Sequence, residues 1–340
     1  MREVRILLLC GALLLAAPAS AVAARPTLGV VDVATGHRVA VVRGTAGSEG
    51  WTSVRWTPDG SALVAVRLER RGLVVRRYAI AGGTRKLRDL GDALDGVLNW
   101  DGTLVAALYD AGNGIPGGHG GVAVRDVATG RVRFRLPQYA EGDDLYENGL
   151  EVAWSRDGSR LAYLAEERRG RTLRIVDAGS GRVLRRVDAD NLYLGPEPFS
   201  PSGDRMAYAV GDYEHLALLD VGSGKVRRRA ESQIFPVAWA PAGERLAGDA
   251  QGGVVVSDEQ QRFGPPQAMP EEEAVELIRW SPDGTRLALL IQEFRHDRSK
   301  LAVMPVSPAP GPARIVIPYR ASGLGGIQWS PDSRRIAYSG

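Results

Sequence analysis

Carboxylates are the one chemically active residue type that this chain gathers in clusters. Glu141, Asp143, Asp144, Glu147 and Glu151 fall within one short stretch, Asp188 and Asp190 in a second, and Glu271, Glu272 and Glu273 in a third. Clustered carboxylates draw a cationic peptide, a basic protein surface or a hard metal ion. The run from Glu141 to Glu147 offers calcium oxygen ligands but lacks the D-x-[DN]-x-[DN]-G spacing of an EF-hand loop. The other groups that catalysis would need are scattered. His37, His119, His215 and His296 lie far apart, and Cys10 is the sole cysteine. There is no G-x-S-x-G elbow and no G-x-x-x-x-G-K-[ST] phosphate loop. The ten carboxylates are therefore read as partner-binding residues, with no catalytic residue, no metal site and no cofactor beyond the calcium just weighed. A metal-dependent hydrolase or lyase is the alternative reading.

The overall charge excludes one large class of partner. Lys plus Arg number 43 against 40 Asp plus Glu, a formal net charge of +3, whereas a nucleic-acid binder concentrates basic residues on one face. The first residues read as an export leader. Arg2 and Arg5 precede an apolar stretch over 6–17, and small residues over 18–24 offer cleavage after Ala21, Ala23 or Ala24. That apolar stretch falls short of the about 20 residues that a membrane span needs. Residues 1–24 are thus expected to leave the mature protein. What remains carries no cysteine and no membrane segment, and is expected to be a periplasmic or secreted bacterial monomer.

Behind the carboxylates stands a repeat. VRWTPDGSALVAV (54–66), VAWSRDGSRLAYL (152–164), VAWAPAGERLAGD (237–249), IRWSPDGTRLALL (278–290) and IQWSPDSRRIAYS (327–339) are copies of one pattern. VLNWDGTLVAAL (97–108) and PFSPSGDRMAYAV (198–210) are worn copies. The aromatics Trp56, Trp100, Trp154, Phe199, Trp239, Trp280 and Trp329 mark the seven, at spacings of roughly 40 to 55 residues. Each copy reads as a hairpin. Alternating apolar residues lead to the aromatic, Ser-Pro-Asp-Gly makes the turn, and a second apolar strand follows. A residue recurring at one place in every repeat serves the repeat's own core, so the tryptophans are expected to pack between neighbouring units.

A second hairpin type alternates with the first: VVDVATGHRVAVV (30–42), VRDVATGRVRFRL (124–136), IVDAGSGRVLRRV (175–187) and LLDVGSGKVRRRA (218–230), with weaker versions at 73–90, 253–268 and 301–317. Two hairpins per repeat make a four-stranded sheet, and sheets at this period stack around an axis. The expectation is an all-β, seven-bladed β-propeller of four-stranded blades, forming a single domain over 25–340. The chain starts with a second-type hairpin and ends with a first-type one. Strands over 28–42 are therefore expected to pair with the hairpin over 327–339 and close the ring.

The W-S-P-D-G-x-R-L-A copies resemble the WD40-like (PD40) repeats of TolB-type periplasmic propellers, and are similar to those in the propellers of prolyl oligopeptidases. The resemblance implies a binding role for an extracytoplasmic propeller, here without the α/β segment of TolB or a hydrolase domain.

In such a ring both short turns of every blade fall at one end, and the longer connections fall at the other. That other end is expected to carry the glycine-rich stretch 110–121 and the acidic stretch 138–149, which fits the rule that long loops on rigid scaffolds bind. Glu197 and Glu276 join the ten carboxylates there in an expected acidic funnel facing a protein or cationic peptide. Arg131, Arg133, Arg135, Arg182, Arg185, Arg186, Lys225, Arg227, Arg228 and Arg229 fall on outermost strands, where charge discourages edge-to-edge pairing.

Overall fold

The computed structural model describes residues 26–44, 50–69, 72–109, 121–136, 152–167, 170–188, 192–211, 215–229, 234–250, 253–260, 262–270, 272–296, 298–307, 309–320, 324 and 326–340. The proposed leader, the glycine-rich stretch and the acidic stretch lie outside them.

Among the described residues every element is a strand. β1 (Thr27–Asp32) and β2 (Arg38–Arg43) form the first hairpin. One antiparallel sheet follows from β3 (Trp51–Trp56), β4 (Ala62–Glu69), β5 (Gly72–Ala79) and β6 (Thr84–Asp89). A second comes from β7 (Ala93–Leu98), β8 (Leu104–Tyr109), β9 (Gly121–Asp126) and β10 (Val132–Leu136). A third comes from β11 (Val152–Trp154), β12 (Arg160–Glu167), β13 (Gly170–Asp177) and β14 (Val183–Asp188). Then come β15 (Leu192–Phe199), β16 (Arg205–Val210), β17 (His215–Asp220) and β18 (Val226–Arg229), followed by β19 (Ile234–Trp239), β20 (Leu246–Ala250), β21 (Gly253–Val256) and β22 (Gln267–Ala268). The last full sheet is β23 (Glu273–Trp280), β24 (Arg286–Glu293), β25 (Arg298–Pro305) and β26 (Arg314–Arg320), before β27 (Ile327–Trp329) and β28 (Arg335–Ser339).

The two ends of the chain share a sheet, in the order β2-β1-β28-β27. Leu28 stands opposite Ser339 and Val30 opposite Ala337. The seven separate four-stranded blades read from the repeats are corrected. Five sheets have four strands, and β15 to β22 form one continuous eight-stranded sheet through a parallel bridge between Glu197 and Ala238. The cause lies in one worn copy. β15 loses register with β16 between Leu194 and Phe199, where Gly195 and Pro198 interrupt the apolar alternation. A Cβ at Gly195 would come within 2.4 Å of the Val237 carbonyl oxygen, so only glycine lets β19 approach this closely. The sheet bends there, and an apolar cluster around Trp239, Ala207, Leu216 and Leu246 fills the angle between its halves.

Burial grades outward along each sheet. Residues 62–67 of β4 and 104–109 of β8 are buried throughout, because flanking sheets cover both faces. Outer strands β2 and β6 are largely exposed. The tryptophans join neighbours, as expected of a repeat residue. The indole N–H of Trp239 donates to Pro198 O (2.8 Å), that of Trp280 to Ala238 O (3.1 Å), that of Trp329 to Arg279 O (3.0 Å) and that of Trp56 to Gln328 O (3.0 Å). Arginines add a second set of links. Arg185 donates to Val221 O, Arg245 to Gly284 O and Arg286 to Ser333 O, each on the next blade. Arg185 therefore staples its edge strand to a neighbour as well as charging it.

Both turn types close on aspartate. Thr57 and Ser330 hydroxyls hold Asp59 and Asp332 below the usual carboxylate range, Asp59 at about 2. Backbone N–H groups of Thr35, Thr129 and Ser223 do the same for Asp32, Asp126 and Asp220. At Asp157 and Asp283 burial pushes upward, and the combined bonds from Ser155 and Ser159, and from Ser281 and Thr285, outweigh it. A depressed folded pKa stabilises above the unfolded value of about 4 and loses that stabilisation as pH falls through the folded one. The midpoint of urea unfolding is therefore expected to fall progressively from about pH 4 toward pH 2. A midpoint independent of pH across that window would contradict these turn bonds.

Candidate functional site

The innermost strands β3, β7, β11, β15, β19, β23 and β27 meet in sequence around the axis. In each described blade the second turn is tied to the first by a backbone bond, as from Val127 N to Thr103 O and from Ala178 N to Ser159 O. Both turns therefore lie at one end, and there the inner strands surround a cavity of about 320 Å³. Its lining includes Trp100, Arg156, Glu197, Arg279 and Gln328, with Pro58, Pro282 and Pro331 at the rim, and Arg55 touches two of the lining residues, Gln328 and Trp100.

These residues stand where the repeat is broken. Trp100 is not at the aromatic position of its blade. Leu98 pairs with Val105 just as Trp56 pairs with Leu63, so Leu98 takes the buried place. Asn99 accepts from Leu104 N (2.9 Å) as Ser155 Oγ accepts from Arg160 N (2.9 Å), which sets Trp100 and Arg156 at the position that proline fills in Pro58, Pro282 and Pro331. The expected alignment of Trp100 with the other core aromatics is thereby corrected. Arg55 and Arg279 likewise occupy the position before the aromatic, which is alanine in Ala153 and Ala238.

Glu197 is the carboxylate at the cavity's depth, its side chain 5% exposed. It accepts from Arg279 Nη1 at 3.1 Å, and its other oxygen lies 3.6 Å from Arg156 Nη2. Arg279 is itself 12% exposed and Arg156 30%. Among the described residues Arg55 reaches neutral acceptors, donating through Nη1 to Val54 O (3.1 Å) and Gln328 Oε1 (3.4 Å), while its Nε is enclosed without a hydrogen-bond partner. Trp100 lies between two cations, with Arg55 at 5.2 Å and Arg156 at 4.7 Å from its ring. Burial, then the like charge of Arg279, pulls the Arg55 guanidinium well below its usual pKa, with Glu197 opposing. Arg55 is thus a cation short of counter-charge.

Two further carboxylates, Asp101 and Asp157, line the exposed rim and face back into their own turns. Asp101 accepts from Thr103 N and Oγ1, and Asp157 from Ser155 Oγ and Ser159 Oγ. The depth of the cavity therefore holds Arg156 and Arg279 against Glu197, with Arg55 beside the lining residues Trp100 and Gln328.

The carboxylates singled out in the sequence are placed differently. Glu141, Asp143, Asp144, Glu147, Glu151, Asp190 and Glu271 lie outside the described residues, and Asp188 ends β14 opposite Thr172. Glu272 and Glu273 pair within their own blade, with Arg295 at 3.3 Å and Lys300 at 2.6 Å. Glu197 belongs to the arginine-lined cavity within β15, and Glu276 lies within β23. Among the described residues no three His, Cys, Asp or Glu gather as metal ligands.

No family model and no curated protein matches the chain. Solved structures do. A protein designated TolB from Agrobacterium tumefaciens is similar at a TM-score of 0.50 and 15% identity, over 93% of this chain and 97% of that one. Kuenenia stuttgartiensis hydrazine synthase is similar at 0.54 and 16%, over 83% and 90%. The Cps50 (Swd1) β-propeller domain of Myceliophteria thermophila is similar at 0.53 and 16%, over 81% and 90%. At these identities the likeness is one of fold, an all-β propeller.

Proposed function

We propose that this chain is an exported propeller that binds a protein or peptide segment in the turn-end cavity and performs no catalysis. The observation that carries the reading is the convergence of Trp100, Arg156 and Arg279, each a departure from the repeat, on one concave site, with a fourth departure, Arg55, packed against its lining. A repeat conserves what its own packing needs, so residues that break it at one shared place are explained by a ligand. The volume, about 320 Å³, suits one side chain or chain end of a larger partner. Asp101 and Asp157 accept from turn hydroxyls, and Glu197 accepts from Arg279 through one oxygen, which supports a binding role over catalysis. Propellers similar in fold include a component of a mitotic checkpoint complex, which is in keeping with a scaffold.

The test is selection of a displayed random-peptide library on the protein, repeated on Trp100→Ala and Arg156→Ala. The reading expects a motif that enriches on the native chain and is lost on both variants. No enrichment, or equal retention by the variants, overturns it. Export has its own check. Sequencing of the protein recovered from its native host is expected to begin after Ala21, Ala23 or Ala24, and a chain beginning at Met1 would contradict it.

A further inference from the structure

We infer that the turn-end cavity is a receptor for a carboxylate, presented by an acidic side chain or chain terminus of the bound segment. The inference rests on the binding role proposed above and adds the chemistry of what is bound. Beside the lining, Arg55 is a half-buried cation with two neutral oxygens, an indole face and, among the described residues, no hydrogen-bonded carboxylate, an arrangement stabilised when an anion comes near. Arg279 and Arg156 share the single Glu197, and the 3.6 Å gap to Arg156 leaves that guanidinium able to turn to a second acceptor. The planar fork of an arginine matches a carboxylate through two parallel bonds. Trp100 and the three rim prolines supply the apolar wall against which the carbon body of an acidic residue packs. Asp101, Asp157 and Glu197 cancel this charge at long range, because they outnumber the two arginines of the lining and equal them only when the adjoining Arg55 is counted. Recognition is therefore by contact inside the cavity and not by distant steering.

Glu197 gives the inference an effect of opposite sign to every structural alternative. It competes with the incoming carboxylate for the same two guanidinium groups. Neutralising it frees them, whereas removing Arg156 takes away a donor. The experiment is isothermal titration of the protein with acetyl-Ala-Glu-Ala amide, its Gln counterpart, acetyl-Ala-Ala with a free C-terminus, citrate and inorganic phosphate. The Glu peptide or the free C-terminus is expected to bind at least tenfold more tightly than the Gln peptide. Arg156→Ala is expected to weaken that binding at least fivefold, and Glu197→Gln to tighten it at least threefold. Equal affinity for the Glu and Gln peptides overturns the inference, as does weakening by both variants, or citrate or phosphate binding more tightly than either carboxylate peptide. Arg156 is partly exposed, so its variant remains informative if Glu197→Gln fails to fold. Library peptides that need the cavity but carry no acidic group would end this inference and leave the binding role standing.

Discussion

Trp239→Ala is expected to destabilise the ring by about 4–6 kcal/mol, enough to unfold a domain of ordinary stability at moderate temperature. Trp239 is 1% exposed and fills the bend of the eight-stranded sheet. Its loss leaves a large apolar void, for which a tryptophan truncation costs about 3–5 kcal/mol. The Pro198 carbonyl also loses its donor, which adds about 1 kcal/mol. Trp239→Phe keeps most of the packing and gives up the bond, so it is expected to cost about 1–2 kcal/mol. Urea titration of both variants measures the difference. A cost below about 1 kcal/mol for the alanine variant would mean that the joint is held elsewhere.

Removing β1 and β2 is expected to abolish cooperative folding altogether. Leu28, Val30 and Val31 are buried to 1%, 1% and 0% exposure against the C-terminal strand and its neighbours. At about 1.5–3 kcal/mol for each large side chain, these three contribute about 5–9 kcal/mol, comparable to the whole stability of a domain. The Thr27 hydroxyl donates to Gly340 O at 2.8 Å, so the two ends lie side by side. A chain starting at Gly44 is expected to show no sigmoidal urea transition. A circular permutant that joins the ends and opens at the exposed Gly82-Gly83 turn keeps one. A cooperative transition in the truncated chain would show that the remaining sheets stand without closure.

Hairpins, turns and closure were legible in the sequence because each obeys a local rule. Asp-Gly pairs announce the turns, alternation announces the strands, and the offset between the first and last hairpins announces that the ends meet. The joining of two sheets was not legible, since it depends on how near β19 comes to Gly195, a tertiary distance that no spacing encodes. Trp100 misled for a similar reason. Its distance from other tryptophans fits the repeat, while Asn99 before it and Asp101-Gly102 after it place it two residues further along. The cavity is less conspicuous in the sequence than the acidic stretches, most of which lie outside the described residues. Its signal was present all the same. Arg156 in place of proline, Trp100 in place of proline, and arginine before two of the core aromatics are visible once the copies are aligned on their turns.

The claim at the centre of this account is that the partner is held at the turn end. Hydrogen–deuterium exchange of the protein, alone and saturated with a library-selected peptide, tests it most directly. The account predicts slowed exchange in 96–102 and 153–160, the segments around Trp100 and Arg156. Slowed exchange confined to 137–151 and 271–276, and absent from 96–102 and 153–160, would contradict it.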